Sequence, residues 1–316
     1  MNRANAADAA VQVSVCICTF RRPELLDGLL ASLAAQLPPG GSAEVVVVDN
    51  DPDASAAPVL ARWSARLPLH ALHVPVPNIA VARNAAIAAA RGAWVAFIDD
   101  DETPDSGWLD TLRAAQQAHG ADAVFGPVLP RHVATTPAWL RDGGFFDRPR
   151  FPTGTPITTR DARTGNVLIR RSLLDRVHAA GEGPFDPAFG RTGAEDTMLF
   201  HGLLALGARL VWCDEATVQE EVPPARATVG WLLRRSYRLG QTYMRSEIAR
   251  RHGLARWVRA GWLGLRALVQ AVVAAALAAV LGPFSRIRGL RWLRAAVAQV
   301  GKLSALTGHR YHEYGG

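Results

Sequence analysis

Asp99, Asp100, Asp101 and Glu102 stand in a row directly after the apolar run Val95-Ala96-Phe97-Ile98, and Asp49 follows Val45-Val46-Val47-Val48 in the same way. A carboxylate at the end of an apolar strand is fixed by a rigid element yet reachable, because ligands of open parallel sheets bind beyond the carboxyl ends of the strands. In an extended segment alternate residues point the same way, so Asp99 and Asp101 are expected on one side and Asp100 on the other. Two carboxylates on one side suit a hard divalent cation such as Mn2+ or Mg2+, which takes oxygen ligands and keeps positions for phosphate oxygens. The plainer account is a solvated acidic cap on the helix that follows. A cap needs one acid, however, and three consecutive like charges repel. A second acidic pair, Glu195-Asp196, follows Gly193-Ala194 at the expected start of a helix over 195–206. It can serve as a general base or simply favour the helix dipole.

Several chemistries are excluded by what is missing. No G-x-G-x-x-G follows the first strand, where the chain reads Thr19-Phe20-Arg21-Arg22-Pro23, which argues against a dinucleotide-binding oxidoreductase. The Walker pattern is absent too, which argues against a P-loop NTPase. No G-x-S-x-G elbow marks a serine hydrolase, and the nine histidines show no zinc spacing. Neutralising a phosphate would then fall to a metal and to arginines such as Arg21, Arg22 and Arg83.

The elements that must position these residues alternate along the first 126 residues. Strands are expected at 11–18, 44–48, 69–74, 93–98 and 123–125. Helices are expected from Pro23 onward and at 54–66, 80–90 and 107–119, with a turn at Pro38-Pro39-Gly40-Gly41. This order implies a parallel sheet covered by helices. Residues 127–163 are rich in Pro, Gly, Arg and aromatics and resist assignment. Strands at 164–169 and 209–212 flank the helix over 195–206. Asn166 is a further candidate for touching a sugar or acceptor. Trp139, Phe145, Phe146 and Trp212 are read first as core aromatics and second as stacking platforms.

V-S-V-C-I-C-T-F-R-R-P, V-V-V-V-D-N, N-I-A-V-A-R-N, F-I-D-D-D-E and G-A-E-D-T, in this order and each at an expected strand end or helix start, resemble the motifs of family-2 inverting glycosyltransferases of GT-A fold. The resemblance covers roughly residues 12–225. The run Q-E-E-V-P-P-A-R-A-T…W-L-L-R-R-S-Y-R-L-G-Q-T-Y is similar to bacterial members that build exopolysaccharide of the succinoglycan type on a lipid-linked acceptor. The resemblance implies a nucleotide-sugar donor, with UDP expected. It puts Thr19 and Arg21 at the base and phosphates, Asp49 at the uracil or ribose, and Asn78, Arg83 and Asn84 on the segment closing over the donor. Asp99 and Asp100 fall among the donor-binding residues. Asp99 and Asp101 match the D-x-D metal pair, with Asp101 the direct ligand, and Glu195-Asp196 matches the pair whose Asp is the catalytic base. Ala80 stands where the pattern has Gly, and Glu102 extends the acidic run. The alternatives are a nucleotidyltransferase that forms sugar nucleotides and a membrane-bound scaffold that binds nucleotide without turnover.

Charge divides the chain. Residues 1–225 carry 19 Arg against 26 acids, whereas residues 226–316 carry 15 Arg and Lys302 against two acids. The expected organisation is a catalytic α/β domain at 1–225 and a basic, helical, membrane-associated region at 226–316. Trp262 to Phe284 form an apolar stretch long enough to cross a bilayer. Arginines on both flanks, Arg310 included, conflict with a single crossing and favour re-entrant or interfacial helices, the second over 287–306. Trp231, Trp257, Trp262 and Trp292 suit the headgroup level. An anionic membrane surface is thus the expected partner, and nucleic acid is not. The expected location is the cytoplasmic face of the bacterial inner membrane, since residues 1–13 lack the apolar run of a signal peptide. Cys16, Cys18 and Cys213 are too few for a disulfide framework and read as core residues.

Overall fold

The structure is a computed structural model that describes residues 11–37, 41–177 and 183–307. The turn expected at 38–40, the signal-peptide question at 1–10 and Arg310 lie outside these residues. The elements run β1 (Val13–Thr19), α1 (Pro23–Ala34), β2 (Ala43–Asp49), α2 (Ala57–Trp63), β3 (Leu69–His73), α3 (Ile79–Ala89), β4 (Trp94–Ile98), β5 (Glu102–Pro104), α4 (Trp108–His119), β6 (Ala123–Phe125), β7 (Val128–His132), α5 (Ala138–Asp142), β8 (Asn166–Arg170), α6 (Arg171–Leu174), α7 (Glu195–Ala205), β9 (Leu210–Trp212), β10 (Val218–Val222), α8 (Val229–Ala249), α9 (Gly253–Leu281) and α10 (Arg286–Leu306).

Seven strands form one sheet in the order β3-β2-β1-β4-β8-β6-β9. β1 pairs in parallel with β2 and with β4, so successive connections leave β1 in opposite directions and create a switch point between β1 and β4. The sheet is mostly parallel, as expected, but β8 enters antiparallel to both β4 and β6. β8 follows β6 only after the long excursion that contains β7 and α5. The strands β5 and β10, which pair antiparallel, have no counterpart in the sequence reading. Residues 127–163, unassigned there, contain β7 and α5.

Strand periodicity builds the core. Val13, Val15 and Ile17 of β1, with Val45 and Val47 of β2, face a layer containing Leu26, Leu29, Leu30 and Leu33 of α1. Cys16, Val46, Val48, Val95 and Phe97 face the opposite layer, with Ala82 and Ala86 of α3 and Leu199, Phe200 and Leu203 of α7. The all-valine β2 is thus buried on both faces, as strands of a covered parallel sheet are. At about 1.5–3 kcal/mol per fully buried Val or Leu side chain, these two layers are the main hold on the strand ends that carry the acids.

The chain separates into two compact units: residues 1–129, 148–191 and 195–220, and residues 130–147, 192–194 and 221–316. The second contains α5, α8, α9 and α10, around a small core of Leu140, Phe145, Val222, Ala227, Leu232 and Leu290. α9 and α10 run antiparallel, with Gly282 against Gly289 at the turn and Gly264 against Leu306 at the far end. α10 also crosses α8 at Gly240 and Gly301, whose missing Cβ atoms would collide with the carbonyls of Ala298 and Tyr237. Glu247 receives Arg250 from its own helix and Arg259 from α9 at 2.7 Å. The apolar helix begins at Gly253, nine residues earlier than the apolar stretch implied, and ends at Leu281, leaving Gly282, Pro283 and Phe284 in the turn. Among the described residues it is the one helix long and apolar enough to cross a membrane.

Candidate functional site

β1 and β2 end in register, Thr19 opposite Asp49, and β4 ends beside them at Ile98. All the acids and arginines of the first unit discussed below gather at this edge of the sheet. The chain does not continue extended past Ile98. The Glu102 N–H donates to the Asp99 carbonyl at 3.1 Å, closing a turn over 99–102. The alternation expected of Asp99, Asp100 and Asp101 therefore fails, because a turn rather than a strand orients them. Asp100 and Asp101 instead share one guanidinium: Arg22 Nη1 donates to Asp100 Oδ1 at 3.2 Å and to Asp101 Oδ2 at 3.1 Å. Asp99 Oδ1 lies 3.7 Å from Arg83 Nη2.

Thr19 at the end of β1 donates its hydroxyl to Asp100 Oδ2 at 2.8 Å, across the switch point. Burial pushes the Asp100 carboxyl up to about 7, with Asp101 and Asp99 adding to the rise and Arg22 and Thr19 opposing it. Glu102, buried at the start of β5, accepts the Asp99 N–H on Oε2 at 3.1 Å. Burial and the neighbouring Asp99 hold its carboxyl well above the usual range. Asp99 is also raised, by desolvation first and Asp101 next, against the pull of Arg83. Its side chain nevertheless remains 48% exposed. Gly165, just before β8, makes this crowding possible, since a Cβ there would stand 2.7 Å from Glu102 Oε1 and 3.1 Å from Asp99 Oδ2.

Arg83, on α3, connects this cluster to the start of α7. Its Nη1 donates to Glu195 Oε1 at 2.9 Å, and its guanidinium lies 5.4 Å from the Phe185 ring centroid. Burial would discharge Arg83, but Glu195 and Asp99 hold it firmly protonated. The Glu195 carboxyl is raised by burial and by Asp196, with Arg83 opposing. Its Oε2 is buried without a hydrogen-bond partner among the described residues. Asp196 is only half-buried, and its Oδ1 accepts the Thr197 N–H at 2.7 Å. The backbone entering this pair is strained: Gly193 has φ +80° and Ala194, which carries a Cβ, φ +92°.

The remaining candidates shape the loops around the cluster. Asp49 has both oxygens committed to backbone amides, Asp51 N–H at 3.0 Å and Ala56 N–H at 2.9 Å. Arg21, itself at φ +56°, reaches Asp51 at 3.0 Å and Asp53 at 3.2 Å. Asn78 caps α3 by accepting the N–H groups of Ala80 and Val81, and it donates to the Pro187 carbonyl at 2.9 Å. Asn84 clasps the backbone of Phe185 from both sides, at 2.8 and 3.0 Å. These two asparagines thus tie the 183–190 segment to α3. Asn166 is a correction: it is buried, bonded to Trp108 and to the carbonyls of Pro127 and Ala216, so it braces the sheet and is closed to an acceptor. Phe145 and Trp212 are buried, in keeping with the core reading. Arg148 and Glu220, paired at 2.7 Å, bear electrostatically on Asp99 and were missed. Arg148 lies in the unpatterned 127–163 segment, and only the Q-E-E-V run hinted at Glu220.

As a site for a cation, the cluster offers only carboxylate oxygens, the donor set a hard divalent ion takes. The side-chain-free Gly165 leaves room beside Asp99. No group of three His, Cys, Asp or Glu side chains able to hold a metal forms among the described residues. In a chelator, without cation, the raised carboxyls make a pH prediction. A carboxyl raised on folding contributes stability while it is protonated. The chain therefore loses stability as pH rises from about 4 to about 7, the window set by Asp100. Urea unfolding across that range should show the fall, and Asp100→Asn should flatten it.

The glycosyl transferase family 2 model matches residues 14–177. The succinoglycan biosynthesis protein ExoM of Rhizobium meliloti (strain 1021) is 34% identical over 303 residues, covering 94% of each chain. The glycosyltransferase AglE of Haloferax volcanii is 26% identical over 260 residues, covering 79% of this chain and 81% of its own. Among solved structures, the mannosyltransferase PcManGT from Pyrobaculum calidifontis in complex with GDP-Man and Mn2+ superposes with a TM-score of 0.62 at 21% identity, covering 92% and 87% of the two chains. S. aureus TarS 1-349 in complex with UDP-GlcNAc gives 0.54 at 17% identity, covering 94% and 92%. At such identities the structural likeness concerns the fold, which is GT-A-like.

Proposed function

Because this chain belongs to glycosyltransferase family 2, we propose that it transfers a sugar with inversion, from a nucleotide-sugar donor of the UDP class to a hydroxyl of a lipid-linked saccharide or polysaccharide acceptor. The observation that carries this reading is Arg83, which joins Asp99 at the end of β4 to Glu195 at the start of α7. Acids 96 positions apart in sequence, which could have pointed anywhere, meet on one guanidinium. The resemblance of the motifs, a relative named for succinoglycan biosynthesis and neighbours bound to GDP-Man or UDP-GlcNAc support it.

Displacing a nucleoside diphosphate requires two things of the chain: stabilising charge on the leaving phosphate and taking a proton from the incoming alcohol. A divalent cation held by Asp101 and Asp99 would supply Lewis-acid stabilisation of the diphosphate. Arg22, shared between Asp100 and Asp101, offsets part of their negative charge beside the same phosphates. Thr19 and Arg21, at the end of β1, and the loop shaped by Asp49 receive the nucleoside. Asn78 and Asn84 act by holding the 183–190 segment against α3. Glu195, fixed by Arg83, sets the first turn of α7 so that Asp196, the more open of the pair, takes the acceptor proton.

The catalytic role is assigned to residues 1–225 and membrane association to 226–316. α9 supports the second assignment. Leu254, Val258, Trp262, Leu265, Val269, Val272, Val273 and Val280 are all exposed along it, and at about 1.5 Å per residue it exceeds the thickness of a hydrocarbon core of about 30 Å. Arginines before and after it favour an interfacial or re-entrant placement on the cytoplasmic leaflet, where an anionic surface attracts each nearby cation by about 1 kcal/mol.

Thermal melting with a panel of nucleotide sugars, with and without Mn2+, tests the donor and the metal together. A donor at one hundred times its dissociation constant should stabilise the chain by about 2.7 kcal/mol, and only with Mn2+ present. Diphosphate release from a nucleoside triphosphate and a sugar phosphate would replace this reading with nucleotidyl transfer. Binding without any transfer or slow donor hydrolysis would replace it with a scaffold.

A further inference from the structure

The second unit contains a groove of about 510 Å3 that the sugar-transfer chemistry does not use. Val229 of α8, Ala275, Ala278 and Ala279 of α9, and Leu290 and Leu293 of α10 line it, together with Gly282 and Gly289. Its size falls within the range of small-molecule pockets, about 300–1,000 Å3. The small side chains of α9 leave the space open. The lining is hydrocarbon throughout except for one charged group, Arg286. The Arg286 guanidinium lies over the Trp139 ring, its central carbon 3.9 Å from the centroid, a cation–π contact that uses none of the donors along its N–H edge. Among the described residues no hydrogen bond or ion pair engages that edge. Arg288 follows two positions later, and residues 248–307 contain no Asp or Glu at all.

A sugar or a nucleotide would find no hydrogen-bonding partner along such walls beyond Arg286, and a neutral alkane would make no use of that exposed cation. We infer that this groove binds the hydrocarbon chain of a phosphate-bearing lipid, with the phosphate on Arg286 and the chain along the alanine wall of α9. Charge complementarity and an all-hydrocarbon lining select this occupant over zwitterionic lipid. The inference rests on the lipid-linked acceptor proposed above and names where the hydrocarbon chain and lipid phosphate of that acceptor are held.

The test uses the full chain in non-ionic detergent and a diazirine-bearing farnesyl phosphate, with labelled peptides mapped by mass spectrometry. Labelling should saturate and concentrate on the peptides holding residues 275–293. Farnesyl phosphate should compete it away, farnesol roughly tenfold less well, and inorganic phosphate or phosphatidylcholine not at all. Arg286→Gln should weaken labelling roughly tenfold, the loss of one charge-assisted contact. Ala279→Phe, at an exposed position of the wall, should abolish it while melting with the parent chain, and Ala275→Phe provides a second plug. Labelling spread over the outer face at Trp257 and Leu265, equal in the plugged chains or competed equally by phosphatidylcholine, would overturn the inference in favour of bulk lipid. A change of oligomeric state in the plugged chains, seen by light scattering, would overturn it in favour of a second copy. The nucleotide-sugar melting panel needs no lipid, so failure of the donor reading and failure of the groove are separately visible.

Discussion

Asp196→Asn should lower glycosyl transfer by about 10²–10⁴-fold, the usual contribution of a positioned general base, while leaving the donor's dissociation constant unchanged. The two acids of α7 are not equivalent. Glu195 is buried and ion-paired with Arg83 at 2.9 Å, so its accessible oxygen is already occupied by a cation. Asp196 is half-buried, and its Oδ1 accepts the N–H of its neighbour Thr197 at 2.7 Å and the Thr197 hydroxyl at 3.4 Å, which leaves Oδ2 available to an alcohol. Asparagine keeps that local bond and the side-chain volume and removes only basicity. Calorimetric titration of the nucleotide sugar with Mn2+ would read donor affinity, and product formation on a lipid-linked acceptor would read transfer. Full activity in the variant would remove the base role from Asp196. Lost donor affinity would show instead that the residue belongs to the nucleotide side of the site.

Much of this arrangement is legible in the sequence because it depends on short-range patterns. The valine run of β2 and the leucine spacing of α1 fix their elements within a residue or two, and acids placed directly after strands fall at the carboxyl edge as parallel topology requires. What is not legible depends on long-range pairing. β8 reads as a strand, but nothing in Asn166–Arg170 announces that it lies antiparallel between β4 and β6. The conformation of 99–102 is similarly hidden, since alternation assumes an extended chain and the turn closed by Glu102 breaks it. Asn78, Asn84 and Asp49 are conspicuous in the sequence as polar residues at element ends. Only the structure reveals that their side chains are engaged by backbone groups. Arg148 approaches Asp99 from a segment with no periodicity, so no local signal could have found it.

Arg83→Met should destabilise the chain by about 3–5 kcal/mol near pH 8, the penalty for removing one partner of a buried ion pair. Methionine matches much of the arginine stem in volume and can pack against Phe185, so the loss is chiefly of charge. It leaves Glu195 buried with one oxygen newly unpaired and the other already without a hydrogen-bond partner among the described residues. It also removes the cation that holds down Asp99. The sign of the pH dependence follows from the same geometry. Burial already raises the Glu195 carboxyl above its ordinary value, and losing Arg83 removes the main opposing charge and raises it further. A carboxyl raised on folding is harmless while protonated and costly once ionised, so the deficit should be small near pH 5 and grow as pH rises toward 8. Urea unfolding of parent and variant at both pH values measures it directly. Arg83→Lys, which keeps the charge but loses the planar fork, should recover part of the stability at pH 8. An equal deficit for Arg83→Met at both pH values would mean that packing against Phe185, and not the Glu195 and Asp99 charges, is what Arg83 contributes.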